Sequence, residues 1–151
     1  MAFSYRTHQI QEVVKTPKQI GSGKFAFENY GTRGKRAEGD LELTGHPLVK
    51  CRLVVTAPRS DEPNTYEAAL LLAGERIRGV GFSPVRRTNR YKEAIPKGWH
   101  QNVIDPNLAT ADPDRNRHPG LKDFTPTDLQ DFVQRVAKLW HIDLDEEAVL
   151  L

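Results

Sequence analysis

Apolar residues recur along this chain with two periods, one near two residues and one near 3.6, and the change divides it into a sheet and a closing helix. From residue 24, Phe25 and Phe27 alternate with polar neighbours, as in a half-buried strand. Residues 31–39, with Arg33, Lys35 and Arg36, read as a mobile basic loop, after which Leu41 and Leu43 alternate again up to a turn at residues 44–47. The clearest strand pattern covers residues 48–56, rich in β-branched side chains, and a polar connection leads into a second run at 65–73. Gly74-Glu75 suits a type II′ hairpin turn with glycine at the first central position. Behind it, Ile77, Val80 and Phe82 break the strict period of two, and Gly79 and Gly81 suggest a bulge or a close backbone approach. Residues 48–82 therefore read as a three-stranded meander. Residues 83–98 are basic and contain prolines, as in a loop or ragged hairpin, and residues 99–104 fit a last strand. In that strand Trp99, Gln101 and Val103 share one face, and His100, Asn102 and Ile104 the other.

The period lengthens after residue 124. Leu129, Phe132, Val133, Val136, Leu139 and Trp140 form one continuous helical stripe, with Asp131, Gln134, Arg135 and Lys138 on the other side. Thr125 fits the N-cap, Pro126 the first helical position, and Asp128 the exposed amides of the first turn. At the other end of the chain, Ile10, Val13 and Val14 could face one way on a short helix, while residues 9–15 fit an edge strand equally well. The expected fold is α+β: an antiparallel sheet (a meander) packed against a C-terminal amphipathic helix. The 151 residues make a single domain, with residues 1–23 as an N-terminal helix or edge strand, 24–104 as the sheet, 105–123 as a loop and 125–142 as the helix.

Composition narrows the setting. The single cysteine, Cys51, lies in an apolar run and reads as a small core residue. With one unpaired cysteine and no apolar leader, a reducing, cytoplasmic location is expected, and no apolar run approaches the length of a membrane span. Charge is unevenly spread: residues 76–118 hold nine Lys/Arg against four Asp/Glu, while residues 119–151 hold three against seven. A basic middle beside an acidic tail gives one face suited to anions.

Three constellations could carry chemistry. Arg76 and Arg78, two apart in a strand, would point to the same face, and Arg86, Arg87, Arg90 and Lys92 follow with Tyr91 among them. Guanidinium forks match phosphate oxygens, so these six cations are the expected nucleic-acid-binding residues, with Tyr91 and Trp99 as the nearest stacking platforms. An acidic protein surface would be attracted equally well. Second, His100 and His118 could share general-base and general-acid work in metal-independent phosphodiester cleavage, an arginine steadying the pentacovalent transition state; the plainer alternative is a hydrogen-bonded strand residue and a loop residue in water. Third, residues 112–123 place oxygen ligands as a calcium loop does, but Arg117 stands where that loop needs glycine, so a proline-rich surface loop is the default. P-loop, dinucleotide, nucleophile-elbow and zinc-finger signatures are missing, and no cofactor or metal is expected.

From residue 66 onward the order of features, Tyr66-Glu67-Ala68-Ala69-Leu70 into Arg76-Ile77-Arg78, then a polar loop, a histidine-bearing strand and Phe124-Thr125-Pro126-Thr127-Asp128-Leu129 opening a helix, resembles small bacterial toxins of the TumE type and related prophage proteins. The resemblance covers about residues 66–142. It implies the toxin of a two-gene toxin–antitoxin pair from a bacterial or phage defence-type locus, acting on RNA and neutralised by a small partner protein. His100-Gln101-Asn102 stands where a His-x-His pair would be expected. The competing expectations are a non-enzymatic interaction module, such as a phage-encoded inhibitor of an acidic protein, and a structural subunit of a larger assembly.

Overall fold

In the computed structural model, which describes residues 7–90, 92–104 and 117–151, the N-terminal alternatives resolve as a helix followed by a strand. Helix α1 (Thr7–Lys15) buries Ile10, and Pro17 separates it from β1 (Lys18–Ile20). There follow β2 (Phe25–Ala26), β3 (Glu28–Tyr30), β4 (Gly34–Leu43), β5 (His46–Ala57), β6 (Glu67–Leu72), β7 (Glu75–Ser83), β8 (Arg87–Thr88), β9 (Ala94–Ile95) and β10 (Gly98–Val103). Helix α2 (Leu129–Leu139) then leads into β11 (Ile142–Asp143) and β12 (Val149–Leu150). The fold is α+β, a curled, mostly antiparallel sheet with two helices. Its main sheet runs β10-β7-β6-β5-β4-β1-β11 with β3 beside β4, and the β1–β11 contact is parallel. The meander is present as β5-β6-β7.

Period-two alternation sets the inner face. Leu53 and Val55 of β5, Leu70 of β6 and Val80 of β7 are fully or almost fully buried, and Phe132, Val133 and Val136 of α2 belong to the same core cluster. Trp99 of β10 stacks near Phe82, Phe124 and Phe132, with ring centroids 5.3–5.5 Å apart. Trp140 donates its indole N–H to Gln101 Oε1 at 3.3 Å, tying the end of α2 to β10. Cys51 is buried, and among the described residues no helix is long and apolar enough to cross a membrane.

Several local expectations change. The basic stretch expected as a mobile loop becomes β4 from Gly34 onward, because Ala37, Leu41 and Leu43 alternate inward while Arg36 pairs with Glu38, and Arg52 with Glu38 and Asp40, on the outer face. Gly34 is obligatory there: a Cβ would stand 2.3 Å from the Tyr30 carbonyl. The β6–β7 turn is Ala73-Gly74, not Gly74-Glu75. Leu72 pairs with Glu75, and φ is +50° at Ala73 and +81° at Gly74, the two positive angles of a type I′ turn. The N-cap of α2 is Asp128 and not Thr125. Asp128 Oδ1 accepts from the Asp131 amide at 2.8 Å, while Asp131 Oδ2 reaches back to the Thr127 amide at 3.0 Å, a reciprocal cap that starts the helix three residues later.

Candidate functional site

The alternation that buries Trp99 and Val103 turns His100 and Asn102 to the outer face of β10. Their cross-strand partners on β7 are Gly81 and Gly79. Both glycines keep the floor low. A Cβ at Gly79 would meet the Asn102 amide nitrogen at 3.2 Å, whereas one at Gly81 would meet nothing within 4 Å. The floor continues through Ala69 of β6 and Val54 of β5.

His118 arrives from a distant part of the chain. Residues 117–121, expected as part of a structureless loop, run along the free edge of β10. Gln101 and Val103 donate to the carbonyls of Pro119 and Arg117 at 2.9 and 2.8 Å, and Leu121 donates to that of Trp99 at 2.9 Å. This edge pairing sets His118 beside Asn102 and leaves the His100 and His118 ring centroids 6.1 Å apart. Residues 112–116 of the calcium-like run at 112–123 lie outside the described residues. Among those described, no group of three or more His, Cys, Asp or Glu could hold a metal ion.

The result is a cleft of about 260 Å³ whose lining includes Thr56, Glu67, Arg76, Arg87, His100, Asn102 and His118. Hydrogen bonds assign the imidazole protons. His100 Nδ1 lies 3.2 Å from the Gly98 carbonyl, which can only accept, so Nδ1 carries the proton and Nε2 keeps its lone pair. Burial, set against that hydrogen bond and reinforced by the Arg87 charge, holds the His100 pKa below its ordinary 6.5. At neutral pH His100 is therefore an uncharged base. His118 Nδ1 lies 2.7 Å from Asn102 Oδ1, which directs Nε2 away from that partner. Glu93, from the β8–β9 hairpin, places Oε2 3.8 Å from His118 Nε2, where it pairs with the ring once the ring is protonated. That carboxylate oxygen is buried and has no hydrogen-bond partner among the described residues.

The arginines divide. Arg76 and Arg87 line the cleft, and neither makes an ion pair or hydrogen bond among the described residues. Arg78 does not share the face of Arg76, because a bulge at Ile77 shifts the register so that Leu70 opposes Arg78 and Leu71 opposes Arg76. Its side chain is buried and donates to the Ile77 carbonyl at 2.9 Å; burial, then the Arg117 charge, lower its pKa to about 10. Arg86, Arg90 and Lys92 stand exposed outside the cleft lining. Trp99 is a core residue and no stacking platform, while Tyr91 lies outside the described residues. Of the eight residues expected from sequence, four, namely Arg76, Arg87, His100 and His118, converge.

Asn102, Glu93 and Glu67 were not expected as site residues. Asn102 was legible, since it shares the strand face of His100; Glu93 is brought in by a short hairpin that leaves little trace in the pattern. No family model matches this chain, and neither curated proteins nor solved structures give a match.

Proposed function

We propose that the chain is a toxin-like ribonuclease of a bacterial or phage defence-type locus, cleaving RNA by imidazole acid–base catalysis. The observation that carries this reading is the convergence of His100 and His118, eighteen positions apart in sequence, in one cleft with Arg76 and Arg87, which have no ion pair or hydrogen bond among the described residues. In this reading His100 Nε2 takes the proton from a ribose 2′-hydroxyl, and the resulting alkoxide attacks the adjacent phosphorus. The bond from phosphorus to the 5′-oxygen breaks as protonated His118 delivers a proton to that oxygen. The products are a 2′,3′-cyclic phosphate and a free 5′-hydroxyl. Arg76 and Arg87 offset the charge on the pentacovalent phosphorane. The TumE-type resemblance, with a small neutralising partner protein, belongs to the same proposal and rests on residues 66–142 alone.

The direct test is incubation of purified protein with a mixed RNA pool in EDTA, followed by analysis of termini. Cyclic phosphate ends are expected; an untouched pool, with or without divalent metal, removes the nuclease reading. Binding gives a second measurement. For single-stranded RNA the slope of log affinity against log salt is about −0.7 per neutralised phosphate, so Arg87→Ala should make it shallower by about 0.7. An unchanged slope would show that Arg87 touches no phosphate.

Gly81 offers a control on the location of the site. Because a Cβ there meets open space and φ lies outside the glycine-only region, Gly81→Leu should fold normally and fill the cleft. The melting temperature is expected to hold or rise, while cleavage falls at least about tenfold, the loss of roughly 1.4 kcal/mol of transition-state binding. Full activity in that variant would place the chemistry elsewhere.

A further inference from the structure

The cleft has a second polar end that acid–base chemistry does not use. Thr56 pairs with Glu67 across β5 and β6, and since Ala68 pairs with Val80, Glu67 stands level with Gly81 on β7, whose partner on β10 is His100. Thr56, Glu67, Gly81 and His100 therefore form one cross-strand row on the outer face, and all four line the same cleft. With strands roughly 4.8 Å apart, the Glu67 and His100 backbones are about 10 Å apart across a gap that only Gly81 occupies. The Glu67 carboxylate makes no hydrogen bond or ion pair among the described residues. A solvated carboxylate facing a catalytic imidazole across a side-chain-free floor would repel phosphate, so it has to meet a part of the ligand that carries donors.

Resting on the ribonuclease reading, we infer that Glu67 is a specificity-determining residue that reads guanine, and that the substrate class is RNA with guanosine on the 5′ side of the scissile phosphate. Guanine presents two adjacent donors, N1–H and the 2-amino group, on one edge, and these match the two oxygens of a carboxylate. Adenine and cytosine offer one amino group flanked by a lone pair that would face the second oxygen. Uracil offers one N–H between two carbonyls. A guanosine 3′-phosphate laid along the row sets its base at Glu67, its ribose above Gly81, and its phosphate between the imidazoles and Arg87. Thr56 stands beside Glu67 as a hydroxyl partner for the remaining carboxylate lone pair or the guanine carbonyl.

The experiment measures binding of the four nucleoside 3′-monophosphates to the full chain by calorimetry, with inosine 3′-monophosphate as the analogue lacking the 2-amino group. Guanosine should bind roughly tenfold to a hundredfold more tightly than the other three standard nucleotides, and inosine in between. In Glu67→Gln the four affinities should become level, with the melting temperature unchanged. Equal affinities in the wild type, a guanosine preference that survives Glu67→Gln, or no saturable binding of any nucleotide each overturn the assignment. The two readings separate cleanly. RNA cleaved without preference at all four bases, together with level nucleotide affinities, leaves the nuclease and removes the guanine site. Guanosine-selective binding by a protein that cleaves no RNA does the reverse.

Discussion

His118→Ala is expected to lower the rate of RNA cleavage by a factor of about 10² to 10⁴, with RNA affinity nearly unchanged, because a positioned general acid contributes to the transition state and little to ground-state binding. His100→Ala should fall in the same range. The pH dependence tells the two apart. His100 must be neutral to accept the 2′-hydroxyl proton, and burial, together with the Arg87 charge, holds its pKa below 6.5. Activity in the wild type should therefore decline on the acid side with a midpoint below 6.5, and that limb should vanish from the residual activity of His100→Ala. Asn102→Ala is a positioning variant. It removes the acceptor that fixes the ring of His118, so kcat falls while KM stays, and Asn102→Asp, which retains an oxygen at the same reach, should recover part of the loss. Single-turnover cleavage across pH 5–9 reads all of these. If His118→Ala and His100→Ala both cleave at the wild-type rate, imidazole catalysis in this cleft is wrong, whatever the protein binds.

Acidification should also act on the fold through the same ring. In the unfolded chain His100 returns to an ordinary pKa of 6.5, so below that value the unfolded state binds more protons than the folded one. Stability then falls as pH drops through 6.5 and levels off below the folded-state pKa, in the same window that removes the base. A loss of activity at pH 5.5 has to be read beside a melting curve at that pH.

The parts of this molecule that sequence makes legible are those governed by one strong period. The apolar stripe from Leu129 to Trp140 names the helix that closes the core, and the alternation over residues 99–103 puts Trp99 and His100 on opposite faces of their strand without saying which face is the core. Glycines 79 and 81 announce themselves because a strand has no local use for them; their use is the floor of the cleft. What fails is whatever depends on a single residue of register. Arg76 and Arg78 are two apart and should share a face, yet one extra residue at Ile77 sends Arg78 into the protein. The cap of α2 sits at Asp128 because two carboxylates, Asp128 and Asp131, cap each other's turn, a contest with Thr125 that spacing does not decide. His118 could be named as a candidate but not placed, since residues 117–121 carry no strand pattern of their own and are held by the edge of β10.

Lys18→Met should destabilise the fold strongly while leaving the cleft untouched. Lys18 is 2% exposed, and its ammonium donates to the carbonyls of Val14, Thr16 and Trp140 at 2.8, 2.8 and 2.7 Å. Those carbonyls terminate α1 and α2, so one cation caps two helices where their dipoles leave partial negative charge. Its backbone amide donates to the His141 carbonyl at 2.8 Å beside the parallel β1–β11 pair, which locks the N-terminal segment onto the C-terminal one. Methionine keeps the volume but strands one buried and two part-buried acceptors, and a cost of about 3 kcal/mol follows, or about 10 °C in melting temperature for a chain of this length. Burial, only partly opposed by Cys51, lowers the Lys18 pKa to about 8 from 10.5. From pH 8 upward the unfolded state thus holds a proton that the folded state has released, and wild-type stability gains with rising pH. Cys51 acts in the opposite sense, because burial raises its pKa from 9.0 to about 11 and its contribution declines above pH 9. Between pH 8 and 9 the lysine effect stands nearly alone. Urea denaturation at these two pH values should show the gap between wild type and Lys18→Met widening as pH rises. A variant as stable as wild type would mean that the ammonium does not hold the two helix ends together, whereas a gap that narrows would mean that the three carbonyls outweigh burial and the fold favours the protonated lysine.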